Sequence, residues 1–531
     1  MYIAKVPNRT SPPAILLRES FRESGKVKTR TLANLTSWAP ERIEALDRAL
    51  HGDFDHAALS EPILGPGFGL LYVLKQLADQ IGISAALGAR EIGKLGLFLV
   101  LARIAHQGSR LSAVRWAESQ AVAEVLGLKR FDEDDLYDAL DDLASRQEKI
   151  EQALYRSYLR RQKMPPRLFL YDVTSSYLEG EHNELGAFGY NRDGKRGKLQ
   201  MVIGLLTDER GEPLAVRVFQ GNRSDPTTVG EQIRILQEQF QIQELVFVGD
   251  RGMVKSKGRQ ALHDAQLHYI TALTDPQIRR LLGEGVLQLP LFSETICEVE
   301  HQQIRYVLRK NEAEAARVER RLADKFAKVE ARIQARNTEV QAHPRCAPEA
   351  GLRKIEQWAQ RHKLQQLVQL RLEGSQIVLE HQPQAIATHL ELAGCYVIAT
   401  DVTAGMSPEQ VHESYMALQG VERDFRSIKT GLLELRPIFV QKASRTRGHV
   451  FCCMLALKLA REMEQRLRAA FGTTEDNPYA VTLPDALAAL DRLCLLHYPV
   501  SKTAELATRL PHPNPTQKLI LQALKLTLPK L

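Results

Sequence analysis

Long apolar runs are missing from this sequence. No stretch of about 18 consecutive apolar residues occurs, which excludes a membrane-spanning helix of ordinary length. The opening MYIAKVPNRTSPP lacks the apolar segment of a secretory leader. Cysteine is scarce: Cys297, Cys346, Cys395, Cys452, Cys453 and Cys494 are the six in 531 residues, and none forms a CxxC pair. That spacing gives no zinc motif and no disulfide framework, and a reduced cytoplasm is the simplest setting. Cys452 and Cys453 lie in an apolar helical run and read as core packing. There is no internal repeat and no low-complexity tract. A large excess of one charge is also absent: 71 basic residues face 64 acidic ones, a formal charge of +7. This leans only weakly towards a polyanionic partner such as nucleic acid.

What is present is the composition of an ordinary globular protein, 44% hydrophobic and 25% charged, in a chain long enough for two or three domains. Residues 1–60 are polar and basic, with one extended piece around Ala14–Glu19. Residues 66–162 carry apolar residues at three- and four-residue spacing and predict helices. Within them LADQIGISAAL has the pattern of a helix-turn-helix, a pattern that any amphipathic helix pair shares. Asp132–Asp135 predicts a helix start. After Met164-Pro165-Pro166 the period changes. LFLYDVTSSYL is a strand, and KLQMVIGLLTDERGEPLAVRVFQG is two strands about a turn. Ser224, Asp225 and Pro226 lead a helix over Thr227–Phe240, and ELVFVGDRG and HYITALT are further strands flanking a helix at Ser256–Ala265. Asn311–Asn337 predicts a long exposed helix or helical hairpin, His343–Pro348 a loop, and the residues on either side of Gly374 a pair of strands. GCYVIATDV is another buried strand. Ser407 and Pro408 then predict the start of a helix that runs to about Lys429.

Three carboxylates stand out by place. Asp172 is in the first strand of the α/β segment, Asp250 at the carboxyl end of a later one, and Glu422 on the late helix. If those strands are neighbours, the three converge on one edge of the sheet. Read singly, each has an ordinary explanation: a capping residue, a strand-end turn residue, a solvated helix face. Together they would repel one another and raise one another's pKa. Two divalent cations remove that conflict. Mg²⁺, with Mn²⁺ able to substitute, suits carboxylate oxygen and phosphate chemistry, and two ions about 4 Å apart stabilise an in-line displacement.

The segment from Tyr415 to Lys429, YMALQGVERDFRSIK, resembles the Tyr-Arg-Glu-Lys motif of one branch of the DDE transposases of bacterial insertion sequences. Tyr415, Glu422 and Lys429 fall in register, and Leu418 stands where the motif has arginine. YDVTSSY and VFVGDRGM resemble the family's two aspartate strands. GYNRDGKRGKLQMVIGL and RPIFVQKASRTRGHVFCCMLALKLA resemble the stretches that follow the first aspartate strand and the glutamate helix.

The resemblance implies an α/β fold, an RNase-H-like mixed-sheet core with a helical N-terminal region and a large insertion before the last catalytic helix. The expected parts are an N-terminal helical region for DNA binding and dimerisation (1–163), the first part of the core (164–280), the insertion (281–392), the second part of the core (393–470) and a C-terminal helical region (471–531). Asp172, Asp250 and Glu422 would be the metal ligands, and Tyr415, Arg426, Lys429, Arg445 and Arg447 would contact DNA. Lys195, Arg196 and Lys198 add positive charge, and Trp358 is a candidate for stacking on an extruded base. The expected partners are double-stranded DNA, as transposon terminal inverted repeats and target, and a second copy of the chain on paired ends. No membrane is involved, and a cytoplasmic, nucleoid-associated location follows. The expected reaction is cleavage at the element end, then attack of the freed 3′-hydroxyl on target DNA. A two-metal nuclease without strand transfer, or a non-catalytic DNA-binding descendant, are the alternatives.

Overall fold

The computed structural model describes residues 1–530 except 9–11, 53–61, 191, 193, 196, 225–226, 243–244, 252, 255, 344–346, 437 and 500–505. Arg196, Asp225, Pro226 and Cys346, all singled out above, therefore lie outside the described residues. The chain divides into two units: Met1–Val73 with Ala117–Val125 and Ala470–Leu531, and Leu74–Trp116 with Leu126–Ala469. No helix among the described residues is long and apolar enough to cross a membrane.

The larger unit is built on an eight-stranded sheet. Its strands are β1 (Leu168–Tyr177), β2 (Gln200–Asp208), β3 (Pro213–Gln220), β4 (Val246–Gly249), β5 (His268–Ala272), β6 (Cys297–His301), β7 (Ile304–Lys310) and β8 (Cys395–Thr400), in the order β6-β7-β8-β5-β4-β1-β2-β3. β1, β2 and β3 form an antiparallel meander. β4 and β5 run parallel to β1. Meander plus two parallel strands is the RNase-H-like arrangement that the resemblance implies. β1 and β2 are buried almost without alternation because helices cover both faces of the sheet. Their core includes Phe169, Tyr171, Leu206, Phe247 and Val397, all fully buried.

The last two helices before β1 are α1 (Glu133–Ser145), started by a capping box between Asp132 and Asp135, and α2 (Gln147–Gln162). The piece inserted between the parallel strands and the late helix that carries Glu422 begins with α3 (Glu312–Ala342), 31 residues and so about 47 Å long. It continues with α4 (Pro348–Arg361), a hairpin at Val368–Glu373 and Gln376–His381, and a helix at Pro383–Leu390. These close over a core of their own around Leu322, Val329, Ile355 and Leu367. The region expected as insertion, 281–392, is thus divided: β6 and β7 belong to the large sheet through the pairing of β7 with β8.

The predicted helix from Pro408 to Lys429 is two helices, α5 (Pro408–Met416) and α6 (Leu418–Lys429). Ser407 caps α5 in a capping box with Gln410, and Pro408 opens its first turn. At the break the Gly420 N–H donates to the Ala417 carbonyl, 2.9 Å away. This tight three-residue closure interrupts the four-residue ladder where glycine offers little helical preference. α7 (Ala443–Phe471) follows, and Cys452 and Cys453 are fully buried in it.

The smaller unit departs from the helical expectation at both ends of the chain. Tyr2–Val6, Ala14–Glu23 and Lys26–Asn34 form a three-stranded antiparallel sheet where one extended piece was expected. The strand KVKTRTLAN is mostly polar, and AILLRESFRE opens on a run of four apolar residues, so neither shows a clean period of two. At the C-terminal end, Cys494–Pro499 pairs with Leu506–Arg509 and with Ile63–Gly67, so 471–531 is not wholly helical. The expected helix-turn-helix is reduced to Gly69–Ile81 and a five-residue helix, Ile83–Leu87, whose Ile83 and Leu87 are buried. That second helix is too short to offer a recognition face.

Candidate active site

β1 and β4 are neighbours in parallel register, with Tyr171 opposite Gly249. Asp172 follows Tyr171 within β1 and Asp250 is the first residue past the end of β4, so the ladder sets them side by side. α6 packs across β1. It buries Leu418, Val421, Phe425 and Ile428 at three- and four-residue spacing, which turns Glu422 outward. Asp172, Asp250 and Glu422 line one open cleft of about 370 Å³, together with Thr174, Arg192, Phe425, Arg426, Lys429, Thr430 and Arg436.

Asp172 is half-buried, and its Oδ1 accepts the Val173 N–H at 2.7 Å. Its pKa is pushed up to about 7, chiefly by burial, with the Asp250 and Glu422 charges adding to the effect. Asp250 is exposed; its Oδ1 accepts the Arg251 N–H at 2.6 Å and the Tyr415 hydroxyl at 3.3 Å. Burial and the Asp250 charge raise the pKa of Tyr415, so it stays a neutral donor. Among the described residues, no three His, Cys, Asp or Glu side chains are grouped so that they could hold a metal ion as they stand. The donor set itself is all carboxylate oxygen in a cleft where negative charge is disfavoured. Hard divalent cations fit that chemistry.

The remaining predicted residues separate. Arg426 and Lys429 line the cleft. Tyr415 reaches Asp250 although the break at Ala417 removes the continuous helical stripe that the seven-residue spacing predicts. Leu418 is 6% exposed and packs inward, so the position where the motif has arginine is a core position in this chain. Arg445 does not line the cleft: its Nε donates to Asp141 at 3.0 Å, and its guanidinium lies 4.7 Å from the Tyr137 ring. Arg447 is exposed and also outside the cleft lining. Trp358 stacks on His362 at 3.8 Å, has Arg332 4.9 Å from its ring and packs against the core of the insertion, so the ring is engaged within that piece. Lys198 is held by Glu179 at 2.8 Å, and Lys195 lies over the Tyr177 ring.

Two cleft residues escape the sequence reading. Arg192 donates through its backbone N–H to Ser175 Oγ at 2.9 Å and through its guanidinium to the Val173 carbonyl, next to Asp172. Arg436 lies over the Tyr177 ring at 5.4 Å. Both sit on loops, where no periodicity marks a residue. The available signal was that both fall in stretches already similar to the family.

A model of the transposase DDE domain matches residues 163–458, and a model of the N-terminal domain of IS1634-family transposases matches residues 3–60. The chain belongs to the DDE transposases. It is therefore an enzyme of DNA transposition, a metal-dependent polynucleotidyl transferase and endonuclease that binds DNA. No curated protein matches this transposase. A solved structure of the piggyBac transposase synaptic complex with hairpin DNA is similar at 8% identity, covering 75% of this chain and 69% of that one, with a TM-score of 0.38. That likeness is too loose to carry an argument about this chain.

Proposed function

We propose that this transposase cuts at the ends of its element and joins the freed 3′-hydroxyl to target DNA, with Asp172, Asp250 and Glu422 as the metal-holding carboxylates. The observation that carries the reading is their convergence in one cleft with four cations, Arg192, Arg426, Lys429 and Arg436. The three carboxylates would hold two Mg²⁺ ions, replaceable by Mn²⁺, which supply charge neutralisation for the attacking and leaving oxygens.

The chain's own groups do the rest. Asp250, held by the Arg251 N–H and the Tyr415 hydroxyl, keeps one orientation at the strand end. Asp172 must give up its proton before it can bind a cation. Lys429 and Arg426, one turn apart on α6, place positive charge where the scissile phosphate would lie, and Arg192 and Arg436 do the same from the loops. In this reading Tyr415 acts by orienting Asp250 rather than by touching the strand. The chain would act as a homodimer on paired ends.

The test is a duplex copied from the element's terminal inverted repeat, supplied both intact and pre-cut with a free 3′-hydroxyl. Wild-type protein with Mg²⁺ should nick the first and join the second to a plasmid. Asp172→Asn, Asp250→Asn and Glu422→Gln should each lower both activities at least about a hundredfold, the scale of losing several kcal/mol of charge stabilisation. Full activity in all three variants overturns the assignment. Cleavage without joining would leave a two-metal nuclease.

A further inference from the structure

The N-terminal sheet contains a hairpin that serves no core. Ala14–Glu23 and Lys26–Asn34 pair from Leu16–Asn34 to Glu23–Lys26, whereas the third strand, Tyr2–Val6, reaches only as far as Arg18. Beyond Arg18 the structure is a two-stranded ribbon, closed by Ser24 and Gly25 at φ +50° and +78°. Two consecutive positive φ values make the tight primed turn that matches strand twist. Every residue from Ser20 to Leu32 is exposed. A bare two-stranded ribbon is marginal in water. A sequence that keeps one exposed on both faces has another use for it.

The two faces differ in kind. Residues opposite one another across the ladder share a face. One face carries Glu19, Phe21, Glu23, Lys26, Lys28 and Arg30, and its charges satisfy each other: Arg30 pairs with Glu19 at 2.7 Å and lies over Phe21, and Lys28 pairs with Glu23 at 2.6 Å. The other face carries Arg18, Ser20, Arg22, Val27, Thr29 and Thr31. It holds two arginines, three hydroxyls and no carboxylate. Segment 18–31 as a whole has five basic and two acidic residues. The helix that follows the sheet, PERIEALDRAL, has three acidic and two basic residues and offers phosphate no such surface.

We propose that this ribbon enters the major groove of double-stranded DNA with its Arg18 and Arg22 face towards the bases. The proposal rests on the transposase reading. The reading face runs from Arg18, at the root of the ribbon where Tyr2 still pairs, to Arg22, four residues or about 13 Å along the strand. A groove about 12 Å wide admits a two-stranded ribbon. Arginine pairs bidentately with guanine, while serine and threonine hydroxyls serve bases or phosphates. The ion-paired face then lies towards solvent and stiffens the ribbon. Terminal-repeat reading thus passes from the expected N-terminal helices to a strand pair.

The experiment measures binding of the full-length protein, without divalent metal, to three probes over a range of salt: the terminal-repeat duplex, an unrelated duplex, and one strand of the repeat alone. Arg18→Ala/Arg22→Ala should bind the repeat duplex at least about tenfold more weakly per arginine, and the unrelated duplex much less affected. Arg18→Lys/Arg22→Lys should lose the preference for the repeat yet keep the salt dependence, because charge stays and the bidentate fork goes. Both variants alter exposed or half-exposed side chains, and an unchanged thermal melt would confirm folding. Wild-type affinity in the alanine variant, equal losses on both duplexes, or wild-type preference for the single strand would each overturn the proposal. Wild-type nicking with Mg²⁺, assayed in parallel, reports separately on the transposase chemistry.

Discussion

At Asp172 two demands oppose each other. In the proposed reaction its carboxylate must ionise to hold a metal, yet burial and the neighbouring Asp250 and Glu422 push its pKa up to about 7. The folded protein therefore holds a proton there that the unfolded chain releases near pH 4. The sign follows: stability contributed by this site is greatest near pH 4, falls as pH rises towards 7, and is flat above. In EDTA, Asp172→Asn should melt with the wild type near pH 4 and several degrees above it at pH 8. Equal melting temperatures at pH 8 would show that Asp172 ionises as readily in the fold as in the unfolded chain. Of the proposed site residues, Glu422, Tyr415 and Lys429 stood out in the sequence because a seven-residue register is a pattern within one short segment. Leu418 was visible as a departure, but its burial was not, since which side of α6 faces β1 depends on β1. Arg192 and Arg436 were illegible for a simpler reason: a loop arginine has no periodicity to stand out against.

Elements were legible where their period was strong. β1, β2, β4, β5, β8 and the capping box of α5 follow directly from apolar runs, turn residues and the Ser407-Pro408 start. The break between α5 and α6 was not, because Gly420 alone lowers helical preference by only about 1 kcal/mol, and tertiary packing decides whether the helix continues. What holds α6 in place makes two predictions. Asp424, two residues after Glu422, is fully buried and pairs with Arg461 of α7. Asp424→Ala leaves that arginine with Glu464 alone, 2.9 Å away, and should cost about 2 kcal/mol in urea unfolding, the scale of a lost hydrogen bond between charged groups. α7 in turn crosses α1 at Gly448, where an added Cβ would stand 2.0 Å from the Leu140 carbonyl oxygen. No backbone atom tolerates that approach, so Gly448→Ala must part the helices. A loss of about 1–3 kcal/mol is expected, with lowered cleavage at temperatures where the wild type is stable. A Gly448→Ala protein as stable as wild type would show that α1 and α7 do not meet there.

Across the molecule, order along the chain and order in space diverge, and the divergence limits what a sequence can reveal. The RNase-H-like succession of meander, parallel strands and late helix was readable from element type alone. The allocation of β6 and β7 to the core sheet was not, because the pairing of β7 with β8 that attaches them spans about 90 residues and leaves no local mark. The same separation has a thermodynamic consequence. Asp172, Asp250 and Glu422 come from β1, the end of β4 and α6, and only the folded larger unit brings them together. A divalent cation that binds this cleft binds the native state and not the unfolded chain, so it must stabilise the whole unit by mass action. At a Mg²⁺ concentration a hundred times its dissociation constant, that stabilisation is about 2.7 kcal/mol, a shift of a few degrees for a unit of this size. Because Asp172 must lose its proton first, the apparent affinity should rise about tenfold per pH unit below 7 and level off above it. Melting curves with Mg²⁺ at pH 5.5 and pH 8 measure both effects at once. The increment should be small at pH 5.5, full at pH 8, and lost in Asp172→Asn at either pH; an equal increment in that variant would place the cation elsewhere.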